Sequence, residues 1–243
     1  MGMMTEAVAL NNELTYWERI NQTTRWGCYL TEIESRIVLS ANKTAGAPGT
    51  VLEIGADGGR WAHLLVNQGW DVICTDISPN ALDLCKRRLP QAKCILVRPT
   101  DTDLPCATDA ASLILCMEVD PVISSEWFIE EASRVLTAGG IPVATINNKF
   151  SLRAVFHEAF RPADTNTRKE RGLYWVSYRE LRTRLLRYGF EVIHEEGCCW
   201  PPFARDSNSS LIPFFAGFEK YSGLRRLTSL SPWVAFAAQK GRA

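Results

Sequence analysis

Residues 51–78, VLEIGADGGRWAHLLVNQGWDVICTDIS, place acids and glycines in a spacing that can do chemistry. An apolar run ends in Glu53, glycines follow at 55, 58 and 59, and a second apolar run ends in Asp76. A strand that turns sharply into a helix presents free backbone N–H groups at the helix start. Glycines let the backbone turn and let a ligand approach closely. Gly55–Gly59 therefore reads as a cradle of the nucleotide-binding kind. The dinucleotide fingerprint GxGxxG, counted from Gly55, requires glycine at 57 and 60, and this chain has Asp57 and Arg60. No GK[ST] follows, so the loop is not a P-loop. A pyrophosphate would also meet like charge from Glu53 and Asp57. A ligand with a positive centre fits better, with Glu53 beside it. Asp76 is placed to accept hydrogen bonds from a ribose diol, each a charge-assisted contact contributing about 1.5–3 kcal/mol.

Alternating elements must hold these residues. TVLEIG, DVICTDI, KCILVRP, AASLILCMEV, IPVATIN, FEVIHEE and PWVAFAAQ read as strands. GGRWAHLLVNQG, SPNALDLCKRRL, SSEWFIEEASRVLTAGG and SYRELRTRLLRYG read as the helices between them, with Ser78 as an N-cap and Pro79 at the first helical position. Short apolar strands alternating with helices predict an α/β fold with a seven-stranded, mostly parallel sheet and helices on both faces. Residues 1–44 read as an N-terminal helical lid segment ahead of a domain at 45–243. That domain carries cap-like insertions at about 148–176 and 197–231. An antiparallel last strand would make both insertions leave from the carboxyl edge of the sheet, where ligands bind in such folds.

Composition excludes other classes. Lys plus Arg and Asp plus Glu both number 27 in 243 residues, so the formal net charge is zero and nucleic acid is not an expected partner. No apolar run is long enough to span a bilayer. There is no leader pattern, and the eight cysteines lack CxxC spacing. They read as free thiols, with Cys74, Cys94 and Cys116 as small buried hydrophobes, and point to a reducing cytoplasm with no metal site.

The pattern E-x-G-x-x-G-G followed by a second-strand acid resembles the S-adenosylmethionine (SAM) site of class I methyltransferases. Their usual form is E/D-x-G-x-G-x-G. Glu53, Gly55 and Gly59 match it, and Asp57 replaces the middle glycine with Gly58 beside it. TDTDLPCATDAASLILCMEV (100–119) is similar to the family's third-strand loop and fourth strand, and RVLTAGGIPVATIN (134–147) to its helix–GG–strand segment. The resemblance covers about residues 50–195 and implies a Rossmann-like fold with SAM as cofactor. It implies that Asp76, with Ile77, lies at the ribose and that Asp101 and Thr102 lie at the adenine. CMEV resembles the ubiquinone-type O-methyltransferases, which implies a main-chain contact from Met117 and makes Arg25 the candidate for the cofactor carboxylate. Their Glu-His pair after the fourth strand is replaced here by Asp120-Pro121, so metal-assisted chemistry does not carry over. The N/D-P-P-Y run of DNA and protein amino-methylating enzymes is absent as well.

The candidate bases are His157, in the first insertion, and Asp120, at the end of the fourth strand. His63 and His194 read as packing or surface groups. Trp175, Trp200, Phe203, Phe214, Phe215 and Phe218 make the insertions aromatic, and Asn147 and Arg153 are placed to line an acceptor pocket. The expected activity is methyl transfer from SAM to a small-molecule acceptor, with oxygen preferred over nitrogen or carbon. The alternatives are a non-catalytic SAM-binding protein and an NAD-type oxidoreductase with an atypical loop.

Overall fold

The computed structural model describes residues 14–151, 154 and 176–242. Two helices come first. α1 (Tyr16–Thr23) starts in a capping box: Thr15 Oγ1 accepts the Glu18 N–H, and the Glu18 carboxylate accepts the Thr15 N–H. Thr24 is extended and caps α2 (Arg25–Ala45) by accepting the Gly27 N–H. The two helices cross closely there, because a Cβ at Gly27 would lie 2.2 Å from the Ile20 carbonyl oxygen.

α2 buries Ile33, Ile37, Val38 and Ala41 completely, at 3.6-residue spacing, in the same core as Val51, Leu113 and Val143. It packs on strands of the sheet, so it is one of the layer helices. Ahead of it, α1 starts against the loop that follows β1, where Thr15 meets Asp57. The described part of the expected segment 1–44 therefore holds a core helix and a helix that begins on that loop.

The remaining elements are β1 (Thr50–Ile54), α3 (Arg60–Val66), β2 (Asp71–Asp76), α4 (Pro79–Arg88), β3 (Lys93–Leu96), β4 (Ala111–Cys116), α5 (Asp120–Ile123), α6 (Phe128–Val135), β5 (Leu136–Asn147), α7 (Tyr178–Arg187), β6 (Phe190–Cys198), α8 (Ile212–Tyr221) and β7 (Trp233–Lys240). The seven strands are ordered β3-β2-β1-β4-β5-β7-β6. β7 runs antiparallel between β5 and β6, and the other pairs are parallel. This is the expected α/β sheet. α2, α3 and α4 cover one face, and α6 and α7 cover the other around Phe128, Ile129, Tyr178 and Leu181.

One helix is shorter than its sequence suggests. α6 ends at Val135, and Leu136–Gly140 is strand rather than helix, because Leu136 already pairs with Ala111 of β4. Most of the expected insertion at 148–176 lies outside the described residues. The second, at 197–231, contains α8.

If α2 belongs to the core, Ile37→Ala destabilises the whole domain by about 2–5 kcal/mol. Urea unfolding followed by circular dichroism measures this. A loss near zero would mean that α2 is detachable.

Candidate functional site

At the end of β1 the chain turns left-handed, with φ of 67° at Gly55, 49° at Asp57 and 86° at Gly59. Position 55 excludes a side chain twice over: by its φ, and because a Cβ would lie 2.6 Å from Val119 Cγ2. Asp is among the few side chains that tolerate this region, which accounts for Asp57. The Asp57 N–H donates to Asp76 Oδ2 at 2.9 Å, and the Ser78 N–H donates to Asp76 Oδ1 at 2.8 Å. One carboxylate therefore fixes two loops, and each of its oxygens keeps a lone pair for a ligand hydroxyl.

Acids gather above this loop. Burial pushes the Asp57 carboxyl up, Thr15 Oγ1 donates to it and lowers it, and the neighbouring Glu18 and Asp76 charges raise it. Glu18 pairs with Arg88 at 2.7 Å, and Arg88 also donates to the Gly58 carbonyl at 2.9 Å. These contacts hold the start of α1 on the glycine loop.

Glu53 is placed differently from its expected position beside a positive centre. It is 3% exposed, on the same face of β1 as Val51, and its carboxylate accepts the Trp61 and Ala62 N–H groups at the start of α3. Its side chain supports the loop from beneath. Burial in that apolar layer raises its pKa to about 8.

Across the edge, Met117 is buried at the end of β4, and Glu118 follows at φ 60° with its N–H donating to Thr145 Oγ1. Glu118 pairs with Arg205. The Arg205 guanidinium lies 4.2 Å over the Trp17 ring of α1 and 5.5 Å over Trp233 of β7. Arg60, the first residue of α3, pairs with fully buried Glu34 of α2. Among the described residues, buried Glu34 Oε1, Arg60 Nε and Arg205 Nε find no hydrogen-bond partner. Glu34, Arg60 and Arg205 also sense one another's charge. Sequence reasoning missed Glu34 and Arg205. Arg205 lies in an aperiodic stretch, and Glu34 sits at an ordinary position on an amphipathic helix.

Asp120 begins the short α5, and its carboxylate accepts the Asn147 N–H at 3.2 Å and the Asn147 side-chain amide. Burial raises its pKa to about 6, against the lowering effect of those bonds.

The other expected residues scatter. Asp101 closes the loop after β3: its carboxylate accepts the Arg98 N–H at 2.8 Å and Nε–H at 2.9 Å, and the backbone bond holds it below the usual carboxylate range. Thr102 and Ile77 are exposed. Arg25 is exposed on the first turn of α2, with its N–H on Asn208 Oδ1 at 3.0 Å. No contact among the described residues ties its guanidinium to the loop, and Arg60 and Arg205 occupy that region instead. His157, Arg153 and Trp175 lie outside the described residues. His63 is exposed on α3 and His194 bonds Ser40 in mid-strand, so neither lies at the loop. Phe203 packs against Trp26 and Phe215, making a local core.

Residues 51–140 match the family model described as a methyltransferase domain. Uncharacterized methyltransferases of Mycobacterium bovis and Mycobacterium tuberculosis are 31% identical over 90 residues, which is 37% of this chain and 36% of each relative. The match thus spans about a third of the length of those relatives. Solved structures share the fold at low identity. A SAM-dependent methyltransferase from Methanosarcina mazei superposes with a TM-score of 0.56 at 14% identity, over 83% of this chain and 97% of that one. A possible histamine N-methyltransferase from Thermotoga maritima gives 0.55 at 17%, over 99% and 100%. The geranyl diphosphate C-methyltransferase of Streptomyces coelicolor gives 0.56 at 16%, over 88% and 82%. The chain has the class I methyltransferase fold, and the match at 51–140 spans β1 to β5, including the glycine loop, Asp76 and Asp120.

Asp120 carries a pH signature. Its folded-state pKa, about 6, lies above the ordinary 3.8, so folding favours the protonated carboxyl. That contribution to stability is fully present below pH 3.8 and is lost as pH rises through about 6. Urea unfolding at pH 4.5 and pH 7, compared between wild type and Asp120→Asn, should show the wild type losing stability relative to the variant at the higher pH. A difference independent of pH would remove the assignment.

Proposed function

We propose that the protein is a SAM-dependent methyltransferase that methylates a hydroxyl of a small-molecule acceptor. The observation that carries this reading is the charge around the glycine loop. Asp57 stands between Glu18 and Asp76 where a dinucleotide protein needs glycine, so the loop repels a pyrophosphate and favours a cation. The cradle at Gly55, which a Cβ would fill, suits close approach of a cofactor to the backbone. Asp76 would accept from the ribose hydroxyls. The loops carrying Asp101, Thr102, Ile77 and Met117 would border the nucleoside.

The orphaned atoms of Glu34, Arg60 and Arg205 suit a zwitterion. Arg60 and Arg205 would take the carboxylate of the cofactor's amino-acid end, and Glu34 its ammonium. When bound, SAM supplies a methyl group on a positive sulfonium. The protein's part is to align the acceptor oxygen with that methyl and to exclude water. Here α1, held on the loop by Thr15 and Glu18, would act as the cover. Asp120, at a pKa of about 6, would take the acceptor's hydroxyl proton as its oxygen bonds to the methyl carbon and the sulfur leaves as a neutral thioether. The balanced formal charge supports a small acceptor rather than a nucleic acid.

A non-catalytic SAM-binding role is the second reading. What favours it is that the Asp120 carboxylate already holds both the main chain and the amide of Asn147.

Calorimetric titration with S-adenosylhomocysteine, with NADH as control, tests the site. Asp76→Ala should weaken binding about 10- to 100-fold, the value of one or two charge-assisted hydrogen bonds. Unchanged affinity would sink the ribose assignment, and NADH binding would overturn the reading. Labelled SAM with hydroxylated acceptors then separates the two roles. Turnover that falls in Asp120→Asn with cofactor affinity unchanged supports catalysis.

A further inference from the structure

We propose that Cys74, Cys85 and Cys94, with Glu53, form a binding site for a zinc-class divalent cation beneath the glycine loop. This site is separate from the one that would hold the cofactor and does not depend on the methyltransferase reading.

The sheet register builds it. Glu53 of β1 pairs with Cys74 of β2, and Cys74 pairs with Cys94 of β3. Partners in a parallel ladder point to the same face, so Glu53, Cys74 and Cys94 form a row across three adjacent strands. α4 covers the end of that row and lowers Cys85 onto it. The three sulfurs lie within 4.8 Å of one another and form no disulfide. Tetrahedral ligands at Zn–S distances of about 2.3 Å lie about 3.8 Å apart, so closing the three sulfurs on a metal needs a shift of about 1 Å or less. Glu53 stands outside that close group, on the strand beside Cys74, and would have to reach in as the fourth donor.

Glu53 supplies the second observation. One oxygen of this carboxyl group, Oε2, is buried without a partner among the described residues. Leaving a buried polar oxygen unpaired is costly, and a cation that displaced the carboxyl proton would satisfy it. Zinc accepts this donor set of thiolates and a carboxylate.

Cations stand near the ligands: Arg60 faces Glu53, Arg88 faces Cys85 and Lys86 faces Cys94. The hydrogen bond from Cys74 lowers the Cys85 thiol, while that bond and burial raise Cys74 and burial raises Cys94, so a cation would have to displace protons from those two. Each bound thiol gives its proton to solvent as its sulfur bonds the cation, so binding releases protons. Cys94 is only half-buried and offers the way in. A Cβ at Gly59 would lie 3.0 Å from Cys85 Sγ, which places the site directly under the loop.

The test uses the full chain, stripped with a chelator and titrated with Co²⁺ as a coloured substitute for zinc. The expected result is one equivalent bound, with an intense sulfur-to-cobalt absorption that one equivalent of Zn²⁺ abolishes. Cys94→Ser should lower that absorption by about one third, since one of three sulfurs is lost. Cys198→Ser, beside Cys199 at the end of β6, should leave it intact. Alkylation read by mass spectrometry provides an arm without variants: Zn²⁺ should protect Cys94 while exposed Cys28 still reacts. Absence of the thiolate band, persistence of the full band in Cys94→Ser, or its loss in Cys198→Ser would overturn the proposal. So would alkylation of Cys94 at an unchanged rate with Zn²⁺ present.

Discussion

The carboxyl edge of this sheet is organised around one carboxylate. Asp76 accepts the Asp57 N–H on one oxygen and the Ser78 N–H on the other. It thereby locks the loop after β1 to the loop after β2 and presents the start of α4. The left-handed turn through Gly55, Asp57 and Gly59 is held from β2 by this carboxylate and by the Thr75 carbonyl, which accepts the Ala56 N–H. α1 rests on that turn through Thr15 and Glu18, and Arg88 of α4 joins Glu18 to the Gly58 carbonyl. The cover, the cradle and the helix beneath it thus share one electrostatic framework.

Three of the four described non-glycine residues with positive φ, Asp57, Glu118 and Cys199, follow the ends of β1, β4 and β6; the fourth, Asp109, precedes β4 at the other end of the sheet. Left-handed backbone at such residues costs about 1–3 kcal/mol and persists where surrounding contacts over-determine it. Here those contacts are identifiable. Asp76 holds Asp57, and Thr145 holds the Glu118 N–H. At Cys199 the main-chain N–H donates to the Tyr29 hydroxyl, which in turn donates to buried Glu219, and Glu219 also accepts the Trp200 N–H. These bonds join α2, the end of β6 and α8.

The sheet and its loop were legible because they follow from local rules. Short continuous apolar runs bounded by Gly, Pro and Asp mark strands, and Ser78-Pro79 marks a helix start. The direction of β7 was open in the sequence and is fixed by its pairing with β5 and β6, and the end of α6 is hidden because Gly139–Gly140 looks like a helix stop when it lies within a strand. Glu53 was recognisable as special, but its direction depends on strand parity and on how α3 starts. Arg205 lies 145 residues beyond Arg60 in an aperiodic stretch, and only tertiary packing on Trp17 and Trp233 brings it to the edge. The thiol row is a product of register. Positions 74, 85 and 94 have no metal-motif spacing, yet pairing of β2 with β3 and the seating of α4 make them neighbours.

The placement of β7 has a consequence for how the molecule is made. Translation delivers β1 to β5 first, and these can pair among themselves as β3-β2-β1-β4-β5. β6 comes next but has no neighbour, because its ladder runs entirely to β7, the last strand in chain order. Until β7 leaves the ribosome, β5 is an open edge and β6 is an unpaired apolar segment. Such edges recruit other chains. The nascent chain therefore passes through a stage at which its sheet is two strands short and exposed to misassembly. A single late strand, entering between two waiting ones, ends that exposure.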